Sequence, residues 1–163
     1  MNRLILFVIS FFLLNSFSSQ SALYSSYNKK AIKLYEKAIE CYQDISPFSG
    51  RGNLKGAEEY LLKSLAKDST FSEAYILLSQ VKVKMGDINS AIFYKEKMMT
   101  VNPIIPLVEY FYLAGMHMAI GSYEKCLKNA VRYKNSPLAD QRYIGRIDKM
   151  IENCEFAIEA IKN

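Results

Sequence analysis

The side chains able to do chemistry are few, and their spacing brings none of them together. The single histidine, His117, lies between Met116 and Met118. Catalysis needs a nucleophile, a base and an orienting partner that converge. One imidazole flanked by thioethers supplies no such set, so packing is its expected role. Cys41, Cys126 and Cys154 form an odd set with no CxxC or CxxH spacing, which excludes a zinc site of the usual kind. In an oxidising compartment they allow at most one bridge within the chain. They are expected on apolar helix faces as small hydrophobes, with a Cys126–Cys154 disulfide as the alternative. Glu58 and Glu59 are adjacent, so on a helix they point apart. Glu36 and Glu40 share a face, but with Lys33 and Lys37 nearby they read as a solvated stripe. Gly50-Arg51-Gly52 has too few glycines, and no following Lys-Ser/Thr, to cradle a phosphate. No catalytic residue, cofactor or metal is therefore expected, and the chain reads as a non-enzyme.

Composition narrows the remaining classes. The 163 residues suffice for one domain; at 50% hydrophobic and 23% charged they have a core to bury and are not a disordered chain. Seven Gly and four Pro are too few for an all-β protein that must turn every ten residues or so. The net charge of +5 is spread among acidic residues, with Lys29-Lys30 and Lys82/Lys84 the densest basic spots. A nucleic-acid partner would require a basic stripe, and none is expected. Residues 1–21 have the layout of a secretory signal peptide: Arg3, an apolar run from Leu4 to Leu14, then small polar residues with Ser18 or Ser21 at the cleavage site. A helix of that run reaches about 16 Å, short of a bilayer core of roughly 30 Å. The expectation is export, followed by a mature domain at 22–163 that has no membrane span.

Self-similarity then organises the mature chain. Tyr75 and Tyr110, Leu78 and Leu113, Gly86 and Gly121, and Ala91 and Cys126 are pairs 35 residues apart. A weaker copy precedes them, with Gly52 and Ala57 each 34 residues before Gly86 and Ala91. The order of types (large apolar, Leu, Gly, small residue, then Pro103 in the middle copy) resembles the tetratricopeptide repeat (TPR), a helix-turn-helix unit. Each position has a physical reason. Gly86 and Gly121 end the first helix of a hairpin, where a left-handed residue costs glycine least. Asp87 and Ser122 are expected to cap the second helix through their side chains. Ala91 and Cys126 are small because helices cross closely there, and Leu78 and Leu113 fill the space between them. Thr70 with Glu73 has capping-box spacing, and Ser136 before Pro137 marks the start of a last helix.

The reading is all-α: a TPR helical-hairpin solenoid of about three repeats plus a C-terminal capping helix. Helices are expected at 28–44, 54–67, 71–85, 88–101, 106–120, 123–134 and 137–161. The first presents Ala31, Leu34, Tyr35, Ala38, Ile39 and Tyr42 on one face. The repeats are placed at about 28–69, 70–103 and 106–137, the first made irregular by the loop 45–53. The capping helix, 137–162, shows Ile144, Ile147, Ile151, Cys154, Ile158 and Ile161 along one side.

Asn28 to Glu36, the repeats, and Cys154 to Asn163 together resemble a narrower group, the N-terminal TPR module of Bacteroidetes cell-envelope proteins. There the module precedes a β-propeller and an OmpA-type peptidoglycan-binding domain, and some members serve type IX secretion. The sequence runs to Asn163, about where the propeller would follow, so peptidoglycan anchoring is not carried over. Either a stand-alone adaptor, or a shortened relative or fragment of a larger peptidoglycan-linked envelope protein, is expected. By that resemblance the concave wall, made by the first helix of each hairpin, receives a partner segment. Carrying over the phase marks Ile76, Gln80 and Val83, then Val108, Phe111, Gly115 and Met118. With only Lys84 near, the groove suits an apolar or amphipathic protein segment rather than an acidic chain terminus. The expected function is a periplasmic or outer-membrane-associated adaptor with a protein or peptide partner in the envelope. Self-association through the repeat stack is the alternative.

Overall fold

A computed structural model describes residues 24–43, 53–102 and 104–162. The leader 1–21, most of the first loop with Gly50-Arg51-Gly52, and Pro103 lie outside the described residues. Within them the chain forms seven helices and no strand: α1 (Lys29–Gln43), α2 (Leu54–Lys67), α3 (Ser72–Met85), α4 (Ile88–Val101), α5 (Val108–Ala119), α6 (Tyr123–Lys134) and α7 (Gln141–Lys162). α1 packs with α2, α3 with α4 and α5 with α6 as hairpins, and α7 covers α6. The protein is an all-α solenoid.

The repeat positions behave as their chemistry dictates. Gly86 and Gly121 have φ of +82° and +70°, the left-handed region that suits glycine. The two turns are matched: Gly86 N–H donates to Val83 and Asp87 N–H to Lys82, while Gly121 N–H donates to Met118 and Ser122 N–H to His117, all at 2.9–3.1 Å. These are Schellman-type closures, which give the last helical carbonyls partners. Ala57, Ala91 and Cys126 are fully buried where helices cross, as are Leu78 and almost all of Leu113. Buried hydroxyls find carbonyls in the same crossings, Ser64 donating to Ala31 and Ser79 to Ala91, each at 2.8 Å.

Caps follow the expected chemistry in part. Asp87 Oδ1 accepts from Ser90 N–H at 3.1 Å, and Asn53 Oδ1 from Gly56 N–H at 2.8 Å. Ser122 stands at the N-cap of α6, but its side chain accepts no capping bond. The Thr70/Glu73 capping box does not form either. Thr70 turns back to donate to Asp68 Oδ1 at 2.7 Å, and Glu73 instead accepts from Ser25. Ser136-Pro137 does not open α7: Ala139 N–H donates to the Ser136 carbonyl at 3.0 Å, closing a turn. Proline after serine favours a turn as readily as a first helical turn. The helix starts at Gln141, with Asp140 Oδ1 accepting from Arg142 N–H at 2.9 Å. On α7, Ile147 and Cys154 are buried, but Ile161 is 73% exposed, so the covering face ends near Ile158.

Two apolar cores form. One joins α1, α2 and α3 around Ala31, Ala38, Leu61, Phe71 and Leu78. The other joins α5, α6 and α7 around Tyr110, Ala114, Ala130, Tyr133 and Ile147. α4 lies between them, lending Tyr94 to the edge of the first and Met99 to the edge of the second.

The residues just before α1 belong to the first core. Tyr24 packs edge-on to Tyr35 and Phe71, with ring centroids 5.4 and 5.9 Å away. Ser25 Oγ accepts from Ser72 N–H at 3.0 Å, supplying the cap that α3 lacks from its own Phe71. Asn28 Nδ2 donates to the Lys67 carbonyl at 2.9 Å, and its Oδ1 caps α1. Ser26 Oγ bonds the Asp68 carboxylate, which holds that group's pKa below its usual value. Residues 24–28 thus clasp the junction of α2 and α3.

Candidate functional site

The first helices of the hairpins, α4 and the capping helix enclose a largely apolar cleft of about 560 Å3. Tyr42 of α1 forms one end. α3 contributes Gln80, Val83 and Lys84; α5 contributes Phe111, Tyr112, Gly115 and Met116; Met150 of α7 closes the far side. Val83 is 43% and Tyr112 48% exposed, a large solvent-facing apolar area for two neighbouring helices. Gly115 lies opposite Met150: a Cβ there would stand 4.0 Å from the Met150 Cε, an ordinary contact that an alanine could make.

Charge in and around the cleft is uneven. Lys95 of α4 and Glu109 of α5 pair directly, at 3% and 7% exposure. Their bond crosses from the second hairpin to the third. Lys82, outside the cleft, bridges Glu58 of α2 at 2.7 Å and the capping Asp87 at 3.4 Å; hydrogen bonding to Glu58 raises its pKa. Glu59 pairs with Lys63 on its own helix, so the adjacent Glu58 and Glu59 do diverge. Lys84 stands with its ammonium 3.7 Å from the centroid of the Tyr42 ring.

Of the residues marked by repeat phase, Gln80, Val83, Phe111 and Gly115 line the cleft; Ile76, Val108 and Met118 do not. Ile76 and Val108 lie in the N-terminal parts of α3 and α5, whereas the cleft runs beside their later turns. Met118 packs against the second core. Phe111 is shared: its ring lies 4.8 Å from Tyr143 and 5.9 Å from Tyr133. The stripe of Tyr112, Met116 and Ala119, one position on from the expected one, was missed. Helical side chains tilt toward the N-terminus, so a surface spot is covered by a residue about one position C-terminal to it. That rule is the signal that would have shifted the phase. Met150 could not be found by repeat phase, since α7 lies outside the repeat.

The cleft presents mainly apolar surface. Among the described residues no cluster of three or more His, Cys, Asp or Glu could hold a metal, and no helix is long and apolar enough to cross a membrane. The three cysteines are free thiols. Cys126 and Cys154 are fully buried neighbours, and burial, with a hydrogen bond to Cys154, pushes the Cys126 thiol up to about 12. A thiol kept protonated is a poor nucleophile.

His117 is 2% exposed, with Nε2 3.8 Å from Glu96 Oε1 and Nδ1 without a hydrogen-bond partner. Burial lowers its pKa below the usual 6.5, against the opposing pull of Glu96. The unfolded chain therefore binds the proton more readily than the folded one. Stability from this group is complete above about pH 6.5 and falls as pH drops below it. Urea midpoints at about pH 7.5 and about pH 5.5 should show a larger acid loss for the wild type than for His117→Gln. Equal losses would refute the assignment.

No family model matches the chain, and no curated protein matches it. Solved structures do. The Yersinia enterocolitica type III secretion chaperone SycD, in complex with a peptide of the translocator YopD, is 17% identical, with a TM-score of 0.61 over 77% of this chain and 92% of that one. SycD without the peptide is 19% identical, with a TM-score of 0.59 over 78% and 85%. MamA is 19% identical, with a TM-score of 0.55 over 85% and 83%. At this identity the likeness is one of fold, and the fold is a TPR-type helical solenoid.

Proposed function

We propose that this solenoid is a non-catalytic binding module, exported to the cell envelope, that takes an apolar or amphipathic segment of a partner protein into its concave cleft. In that role it supports assembly of an outer-membrane or secretion complex. The observation that carries the reading is the cleft itself: apolar side chains from three hairpins and the capping helix converge while remaining open to solvent. Covering such surface is favourable at roughly 25 cal/mol per Å2. The leader-like residues 1–21 support export. A solenoid of similar fold has been solved with a peptide of its translocator, which supports a peptide occupant.

A random dodecapeptide display library, panned on the folded protein, tests the reading. Apolar sequences should be recovered. Their synthetic versions should bind the Val83→Asp/Tyr112→Asp variant at least about tenfold more weakly, because a carboxylate must be desolvated against an apolar ligand. Circular dichroism should show that this surface variant keeps its helical fold. Undiminished binding would place the site elsewhere. A wild-type dimer in light scattering that the same substitutions dissociate would make the occupant a second copy of the chain.

A further inference from the structure

We infer that the partner segment carries a side-chain carboxylate among its apolar residues, and that Lys84 is the residue that selects it; this rests on the cleft reading above. The cleft lining holds two cations, Lys84 and Lys95, and no carboxylate. Lys95 is neutralised from behind by Glu109 and is buried with it. Lys84 is exposed, and among the described residues it has no carboxylate within ion-pair distance.

The Lys84 ammonium nevertheless has a fixed place. It sits over the face of Tyr42 on α1, at 3.7 Å. The ring quadrupole attracts the cation but takes up few of its three N–H donors. The last turn of α3, which also carries Lys82, adds the partial negative charge of a helix C-terminus. The result is a pre-positioned cation at the rim of an apolar floor formed by Val83, Tyr112 and Met116. A segment with Lys or Arg there would be repelled, and a neutral one would gain no ion pair. An apolar segment with Asp or Glu satisfies both surfaces. The chain's net charge of +5 acts in the same direction at longer range.

The panning above, run in parallel on wild type and on Lys84→Glu, decides it. Displayed peptides are fused at their C-termini, so only a side chain can supply the carboxylate. The wild-type pool should be rich in Asp and Glu and poor in Lys and Arg, and the Lys84→Glu pool should show the reverse. A recovered peptide with its Glu changed to Gln should bind wild type about two- to fivefold more weakly, as for an exposed ion pair, and the difference should shrink at high salt. Against Lys84→Gln the two peptides should bind alike. An acidic bias that persists on Lys84→Glu, or apolar peptides with no charge bias, would overturn the role of Lys84 while leaving the cleft reading intact. Failure to recover any peptide, or binding insensitive to Val83→Asp/Tyr112→Asp, would overturn the cleft reading instead.

Discussion

Lys95→Ala is expected to destabilise the fold by about 3–5 kcal/mol, because it leaves the Glu109 carboxylate buried without its counter-ion. Lys95 is 3% and Glu109 7% exposed, so the carboxylate left behind is largely shielded from bulk water. A loss of that size is a large share of the roughly 5–15 kcal/mol that holds an ordinary domain together. Removing both charges has a different outcome. Lys95→Met with Glu109→Leu replaces the pair by apolar groups of similar volume and should be close to neutral, or stabilising by about 1–4 kcal/mol. Urea denaturation of the two singles and the double gives the coupling directly. A Lys95→Ala cost under about 1 kcal/mol would mean that the pair is solvated in solution.

Phe71→Ala is expected to cost about 3–5 kcal/mol, the usual range for truncating a fully buried aromatic. Phe71 is 0% exposed, with the rings of Tyr35 and Tyr24 4.9 and 5.9 Å away. Its removal empties the one place where the pre-helical clasp, α1 and α3 meet. The clasp should therefore loosen with it. Ser25→Ala removes the Ser25 Oγ hydrogen bonds with Ser72 and Glu73 at the rim of the same cluster but keeps the backbone N–H bond to Glu73, and should cost only about 1 kcal/mol. Because the two changes act on one contact, the double variant should lose less than the sum of the singles. Thermal unfolding of all three checks both the size and the non-additivity; strict additivity would show that the clasp and the aromatic cluster are independent.

Positions where one local rule acts alone were legible in the sequence. Gly86 and Gly121 adopt the left-handed conformation that their place at the end of a periodic helix calls for, and Ala91 and Cys126 are small where helices cross. Positions where two rules compete were not. Thr70 and Glu73 satisfy the capping-box spacing, yet Ser25, 48 residues away from Glu73, outbids the local partner. No window around residue 70 contains that fact. Ser136-Pro137 is equally good chemistry for a turn and for a helix start, and Asp140 four residues on decides between them. Gln80, Val83, Phe111 and Gly115 were legible as cleft residues because repeat phase orients each first helix. Tyr112, Met116 and Ala119 depend on the tilt of side chains along α5, Met150 on α7, whose position obeys no repeat, and Tyr42, Ile88 and Lys95 on how α1 and α4 pack beside the first helices.

The two cores do not merge, and the contact of α4 with α5 is the thinnest between successive helices. In a stack whose units touch only their neighbours, deformation concentrates at the weakest joint. The cleft straddles that joint: Val83 rides with one block, Tyr112 and Met150 with the other, and the Lys95–Glu109 pair sits at the pivot. On the function proposed above, a segment broader or narrower than the resting aperture would be met by rotation at one joint, with both blocks left packed. On that reading, stiffness at a single ion pair would set how many shapes the cleft accepts.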